Sequence, residues 1–519
     1  MKTAIIGTGP TGLYTFQALL RAGGPHHIVL FEAGAQIGIG MPWSAETTSA
    51  SMLANIASIE IPDLPERYID WLKRQPETVL RRFSVDPATV DERDFTPRLL
   101  IGQYFADQMQ QLITIAQAAG VTVDTFETCR VTDITPAAEG YTLETDRAGT
   151  QSGFRHVVLA TGHKFERDDD LTDHYFPNPW SGLVTVAVPA GHIGIMGTSL
   201  SAIDAAMVVA GQHGQFTRND GRLIWQPRGS EALTITLMSW SGVLPEADFY
   251  CPIPWEPLEI MTEEAVLEAA EGPEPFARIW DLFKAQLQTS DPAWSDRIGL
   301  AGLTPETFSE AYFRPREEGD TFVHARRNLA EAERNREARH TIPWRYAILR
   351  MHEQVEKAVP AFSEAETKRF NATLKSVFTD NYAAVPPLSI ERVLALRDAG
   401  VLEILALGED YELTHHRGYS EVIARGKTYR LDTFIDARGQ CPQTSKDLPF
   451  PSLSRALLQA GQEEPQLSES FALQSLPGYE GRLYFGALPF LMEDQPFVQG
   501  LTSCARNGAT IAEAIIRDA

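Results

Sequence analysis

The 519-residue chain has a formal charge of −24, with 43% hydrophobic and 22% charged residues. That length gives room for two or three domains with ample core, and so acidic a surface argues against nucleic acid or an anionic membrane as partner. No apolar run is long enough for a membrane-spanning helix, so no membrane partner is expected.

Cys129, Cys251, Cys441 and Cys504 are scattered, with no C-x-x-C pair. This excludes a zinc ribbon, leaves no metal site to propose, and excludes a disulfide-reductase centre of the C-x-x-C type. It also suits a reducing cytosol. No secretory signal precedes the first motif, so the expected location is cytoplasmic.

That motif begins almost at once. Ala4, Ile5 and Ile6 suit a buried strand of a parallel sheet. Gly7, Gly9 and Gly12 follow in the spacing G-x-G-x-x-G, with Pro10 and Thr11 inside it, and residues 13–20 read as a helix. The first glycine allows a tight turn, the second close approach to a pyrophosphate, and the third close packing of helix on strand. The helix N-terminus then faces the anion. A second apolar strand, residues 28–31, ends at Glu32. An acid at that distance accepts both hydroxyls of an adenosine ribose.

Next comes a glycine-dotted loop ending in Gly40, Met41, Pro42 and Trp43, which can lay backbone along a flat ring or form a plain surface loop. Asn55 closes the segment 52–55 and joins the candidate cofactor contacts. Residues 66–74 read as a short amphipathic helix and 99–119 as a long one closed by Gly120. Arg98, just ahead of it, suits a phosphate, a substrate carboxylate or a structural ion pair. Strands are expected at 121–126, 130–135 and 141–145, and another leads into the turn Ala160-Thr161-Gly162-His163. Residues 164–181 read as a linker.

A second strand, turn and helix begins at His192, with Gly197, Ser199 and Ala202 in the pattern G-x-S-x-x-A. The small residues preserve the close approach, and the Ser199 and Ser201 hydroxyls can donate to phosphate. The following strand, 233–240, ends at Ser239-Trp240, without the arginine that a 2′-phosphate site places there. Arg222 and Arg228 are the alternatives, and the balance leans mildly to NADH.

Residues 244–385 change texture to long helical stretches rich in acids. The basic run 326–339 is interleaved with Glu331, Glu333 and Glu337, as in a solvated helix face. This region reads as a helical insertion that covers the active site. From Pro386 the pattern returns to α/β, with a helix at 390–399 and strands at 402–407, 411–414, 420–425 and 433–436. A late strand, 482–488, contains Gly486, and a closing helix runs over 505–516. Ala487 stands where an acid for the flavin's ribityl or pyrophosphate part is usual.

The chain resembles the two-dinucleotide-binding flavoproteins, and among them bacterial FAD/NAD(P)-binding proteins related to flavin-dependent N-hydroxylating monooxygenases. The features that carry this are Gly38-Ile-Gly-Met-Pro-Trp43, Pro97-Arg98-Leu99, Ala160-Thr-Gly-His163, Gly197-Thr-Ser-Leu-Ser-Ala-Ile-Asp204 and Gln495-Pro-Phe-Val-Gln-Gly-Leu501. The resemblance implies an α/β fold of two Rossmann-like dinucleotide-binding domains, for FAD and NAD(P), with a mainly helical insertion. The expected division is 1–180 with 430–519 for FAD, 181–243 with 386–429 for NAD(P), and 244–385 for the insertion. It further implies FAD on Gly7–Gly12, Glu32, the Gly40–Trp43 loop, the backbone near Val131, and Thr161-Gly162, with Gln499, Gly500 and Leu501 closing over the flavin ring. NAD(P)H would use Gly197, Thr198, Ser199 and Ser201, and His163 is the residue to test for chemistry. A small-molecule substrate and molecular oxygen follow as partners, and a homo-oligomer is left open. Alternatives are a flavin reductase or dehydrogenase that serves another acceptor, and a non-catalytic flavin-binding redox sensor.

Overall fold

In the computed structural model the described residues are 2–163, 174–229, 232–439, 441–479, 481–493 and 495–518. Most of the expected linker, residues 164–173, lies outside them. The first unit is built from β1 (Lys2–Ile6), α1 (Pro10–Arg21), β2 (His27–Phe31), α2 (Arg98–Ala118), β3 (Thr122–Phe126) and β4 (His156–Leu159). The chain enters the second with β5 (Tyr175–Phe176), β6 (His192–Met196), α3 (Leu200–His213) and β7 (Thr234–Ser239). After the helical region, α4 (Pro387–Asp398), β8 (Leu402–Ala406) and β9 (Thr433–Asp436) complete that unit. Then β10 (Leu483–Phe485) and α5 (Gly500–Arg517) return to the first.

Each unit is a five-stranded, all-parallel sheet, in the orders β10-β4-β1-β2-β3 and β8-β7-β6-β9-β5. Parallel strands are covered on both faces, which is why β1 and β4 read as unbroken apolar runs rather than alternating ones. Between α1 and α2 the first core gathers Leu13, Phe16, Tyr104 and Phe105, with Ile511 and Ile515 arriving from α5. Three small antiparallel sheets are appended: 131–137 with 140–145 and 151–154, the hairpin 214–219/222–227, and 411–416 with 419–424 and 427–431.

The expected boundaries at 181 and 430 shift. Tyr175–Phe176 and Thr433–Asp436 both lie in the second sheet, where Phe434 pairs with Tyr175 and Ile435 with both Phe176 and Ile195. The crossing back to the first unit therefore comes after Asp436. The chain enters and leaves the helical region side by side. Ala247 bridges Val385, Val385 N–H donates to Glu246 O at 2.9 Å, and Asp248 N–H to Val385 O at 2.8 Å. Inside it, helices between Glu263 and Tyr382 share a core of Phe276, Phe283, Phe308, Ile348, Phe370 and Phe378. One helix departs from this. Thr321–Ala338 packs through Phe322, Ala325 and Leu329 on the second unit's core.

Candidate active site

At the first elbow, β1 ends at Ile6 and Gly7 turns the chain with φ +92°. A Cβ on Gly7 would meet Ala160 O at 2.3 Å, and one on Gly12 would meet Gly7 O at 2.1 Å. No larger residue fits either place. Pro10 occupies the first turn of α1, where a missing N–H costs nothing, and the N–H groups of Thr11 and Gly12 precede the first helical donor, Leu13 N–H, which reaches Gly9 O at 2.9 Å. The Glu32 carboxylate accepts from Gly34 N–H at 2.7 Å, from Thr8 N–H at 3.1 Å and from the Thr8 hydroxyl at 2.6 Å. Thr8 in turn accepts from Gly38 N–H at 2.9 Å. A single threonine between the glycines thus ties the acid to the Gly38–Trp43 loop. Sequence reasoning passed over it because x positions of the motif carry no residue preference.

That loop lies on the elbow: a Cβ on Gly40 would meet Gly9 Cα and Pro10 Cδ, each at 2.9 Å. Met41–Trp43 is a single 3-10 turn, and the Trp43 ring meets Phe105 edge-on at 5.7 Å. Asn55 sits in the neighbouring segment with its Oδ1 buried and without a hydrogen-bond partner among the described residues. Val131 is buried two residues beyond Cys129, whose N–H donates to Glu32 O at 2.8 Å. After β4, Ala160 N–H donates to Ile6 O at 2.8 Å, which sets the Thr161-Gly162 turn beside Gly7. Gly162 has φ +68° and nothing within 4 Å of its Cβ position. Burial lowers the pKa of half-buried His163 to about 4, so it is neutral near pH 7.

The C-terminal segment completes this side. Gly486 N–H donates to Leu159 O at 2.9 Å, and a Cβ there would meet Thr11 Cγ2 at 2.9 Å. Ala487 is buried, so the usual acid has no counterpart at this place. The closing helix starts at Gly500, ahead of the expected 505, with Gln499 as its N-cap and Leu501 buried. Gln499 Nε2 donates to Tyr382 Oη at 3.0 Å, and Phe497 is buried in the insertion's own core. The segment beside the elbow is therefore fastened to the helical cap.

At the second elbow, Gly197 has φ +124°, and a Cβ on it would meet Ala437 O at 2.9 Å. Ser199 is the N-cap of α3, exposed, with its hydroxyl making no capping bond. Ser201 follows in the first turn, half-buried. Thr198 is different: its hydroxyl donates to Val243 O at 2.7 Å and to Ser239 Oγ at 3.2 Å, so the side chain braces the turn after β7.

Arg98 departs from the ligand role considered for it. It is the first residue of α2, its Nε donates to Leu53 O at 3.1 Å, and its Nη2 stands 2.7 Å from Asp204 Oδ2. The Asp204 contact is a close charge pair rather than an aligned hydrogen bond. Both side chains are almost buried, and burial still pushes Asp204 up to about 6 against the pull of Arg98 and Arg392. The pair joins α2 of the first unit to α3 of the second. Arg222 is likewise engaged, on Asp398.

Residues 4–164 match the family model described as FAD-NAD(P)-binding, and residues 262–382 match that of the YdhS-like middle domain. The protein YdhS of Escherichia coli (strain K12) is 46% identical over 522 residues, covering 100% of this chain and 98% of its own. Among solved structures, the Kutzneria sp. 744 ornithine N-hydroxylase matches at TM-score 0.51 and 15% identity, covering 99% of each chain. The reduced ornithine hydroxylase PvdA of Pseudomonas aeruginosa matches at 0.52 and 14%, over 99% of this chain and 98% of that one. The L-lysine 6-monooxygenase of Pseudomonas syringae matches at 0.50 and 13%, over 99% of each. At such identities the likeness is one of fold, and it is the fold that the glycine motifs implied. The chain belongs to the YdhS family, with an FAD-NAD(P)-binding region at its N-terminus and the YdhS-like middle domain as its helical insertion.

Proposed function

We propose that the protein is an FAD-dependent, NAD(P)H-consuming monooxygenase that hydroxylates a small polar substrate such as an amine or amino acid. The observation that carries this reading is the Arg98–Asp204 pair. It seats the helix of the second elbow against the segment that ends in Asn55, so the two dinucleotide sites adjoin.

The residues at the first elbow fit FAD. Thr11 and Gly12 offer N–H groups to a pyrophosphate, and Glu32 accepts ribose hydroxyls with a carboxylate already oriented by Thr8 and Gly34. The orphaned Asn55 Oδ1 and the open space at Gly162 support a ligand here, with Asn55 available to a polar group of it. Val131 would lend backbone to the cofactor, the Gly40–Trp43 loop and Thr161 would hold its flavin part, and Gln499–Leu501 would help to exclude water. At the second elbow Gly197, Ser199 and Ser201 hold the nicotinamide nucleotide. An FAD held by these residues would supply hydride acceptance from the nicotinamide nucleotide and the reduction of molecular oxygen. His163, neutral near pH 7, serves as a hydrogen-bonding group rather than a charge.

The test is NADPH and NADH oxidation by the flavin-loaded protein under isotopically labelled oxygen, across a panel of amines and amino acids. Faster nucleotide oxidation with label in an organic product is expected. Nucleotide oxidation with no labelled product from any substrate would overturn the monooxygenase reading in favour of a reductase.

A further inference from the structure

The hairpin formed by Tyr419–Ala424 and Lys427–Leu431 turns through two residues, since Ala424 pairs directly with Lys427. These are Arg425 and Gly426, with φ +50° and +71°. Two left-handed residues in a two-residue loop make a type I′ turn, whose first position favours Asn, Asp or Gly. An arginine in that backbone region is strained, and strain of this kind clusters at ligand clamps.

The tip stands at one particular edge. Ala406 of β8 is paired with Ser239 of β7, and Gly408 N–H donates to Trp240 O at 3.0 Å. The chain then turns into Tyr411, which pairs with Ala424. As a result Arg425 Nε lies 3.8 Å from where a Cβ on Gly408 would be. The guanidinium stem therefore lies beside Gly408, the residue whose N–H holds Trp240 O. Arg425 is exposed and makes no ion pair or hydrogen bond among the described residues. Glu409 and Asp410 are exposed nearby, and neither pairs with it.

Trp240 shares the edge. It is 59% exposed, more than any other large apolar side chain among the described residues. Its backbone is nevertheless fixed. Ser239 Oγ accepts from Gly242 N–H at 3.0 Å, Thr198 holds Val243 O, and a Cβ on Gly242 would meet Ala406 Cβ at 2.9 Å. In a Rossmann unit the end of the strand after the glycine elbow is where the adenosine ribose lies. An exposed indole on a fixed backbone stands at that place, with an unpaired guanidinium beside the adjoining Gly408.

We propose that Trp240 and Arg425 form an adenosine-2′-phosphate subsite. The adenine stacks on the indole, the guanidinium binds the 2′-phosphate, and the protein prefers NADPH to NADH. This rests on the reading that the Gly197 elbow holds the nicotinamide nucleotide. It reverses the mild lean to NADH, which arose because the cation comes from a hairpin far downstream of β7.

The test is calorimetric titration of the flavin-loaded full chain with ADP-ribose and with its 2′-phosphorylated form, neither of which can be turned over. The expected result is at least about tenfold tighter binding of the phosphorylated probe. Arg425→Asn should erase that preference while keeping ADP-ribose affinity and an unchanged or raised Tm, because Asn-Gly suits the turn. Trp240→Ala should weaken both probes alike. Equal binding of the two probes, tighter binding of ADP-ribose, or a preference that survives Arg425→Asn would overturn the subsite and leave the nucleotide site standing. Failure of both probes to bind would overturn the nucleotide site as well.

Discussion

His156 opens β4, fully buried, with neither ring nitrogen in a hydrogen bond among the described residues. Its Nε2 stands 3.4 Å from the Asp518 carboxylate, yet burial outweighs that attraction and lowers its pKa to about 4. The folded pKa lies below the unfolded 6.5, so between pH 6.5 and 4 the unfolded chain binds a proton that the native state refuses. Stability contributed by neutral burial is present above pH 6.5 and is lost as pH falls through that window, by roughly 3 kcal/mol for this residue. His156→Leu should flatten the fall in urea midpoint over the same range. A variant with the parent's slope would show that another group sets the acid sensitivity. Asp204 and Asp248, raised to about 6 and 7, act in the opposite sense, so the difference between variant and parent is the informative quantity. At this scale the sequence exposes residues whose chemistry depends on spacing, such as Glu32 after Gly12. It conceals those defined by partners brought from afar: Arg98 looks like an anion ligand until Asp204 stands beside it.

Helices α5 and α1 approach closely at Gly508, where a Cβ would meet Thr15 N at 2.7 Å and Tyr14 C at 3.0 Å. Both obstacles are backbone, so one helix must move away from the other. Gly508→Ala should lower stability by about 1–3 kcal/mol, and it should lower the flavin retained on purification because α1 carries the elbow. Gly211 supplies the contrast. It lies in α3, exposed, with nothing within 4 Å of its Cβ position. Gly211→Ala should therefore stabilise by about 0.5–1 kcal/mol. Equal effects at the two sites, read from chemical denaturation, would contradict the packing role of Gly508. The buried strands and amphipathic helices were legible as runs and periodicities. Short antiparallel pieces such as Gln151–Phe154 were not, because their half-exposed pattern resembles loop. Nor was the start of α5 at Gly500, since glycine reads as a stop until tertiary packing extends the helix over it.

Across the whole molecule, specific ties join the two units and the helical insertion. Arg98 and Asp204 join the units, Arg392 Nη1 donates to Ser51 O at 2.7 Å across the same seam, and Phe497 anchors the C-terminal segment in the cap. Removing one partner of a buried pair strands the other charge, whereas removing both does not. Arg98→Met should cost about 3–5 kcal/mol, and the double variant Arg98→Met/Asp204→Leu should recover most of that loss. Additive losses in thermal or urea unfolding would show that the pair is not a coupled clamp. The two-unit plan was readable because each glycine elbow announces a sheet, but the crossing point was not. Thr433–Asp436 reads as the closing strand of the second unit, and its parallel pairing with β6 puts it there, past the boundary expected at 430. The central claim concerns what passes between the two elbows, and anaerobic titration of the flavin-loaded protein with NADPH, then separately with NADH, tests it most directly. Loss of the flavin's visible absorbance at stoichiometric NADPH is the predicted result. A spectrum unchanged by either nucleotide would contradict hydride transfer from the second elbow to the first.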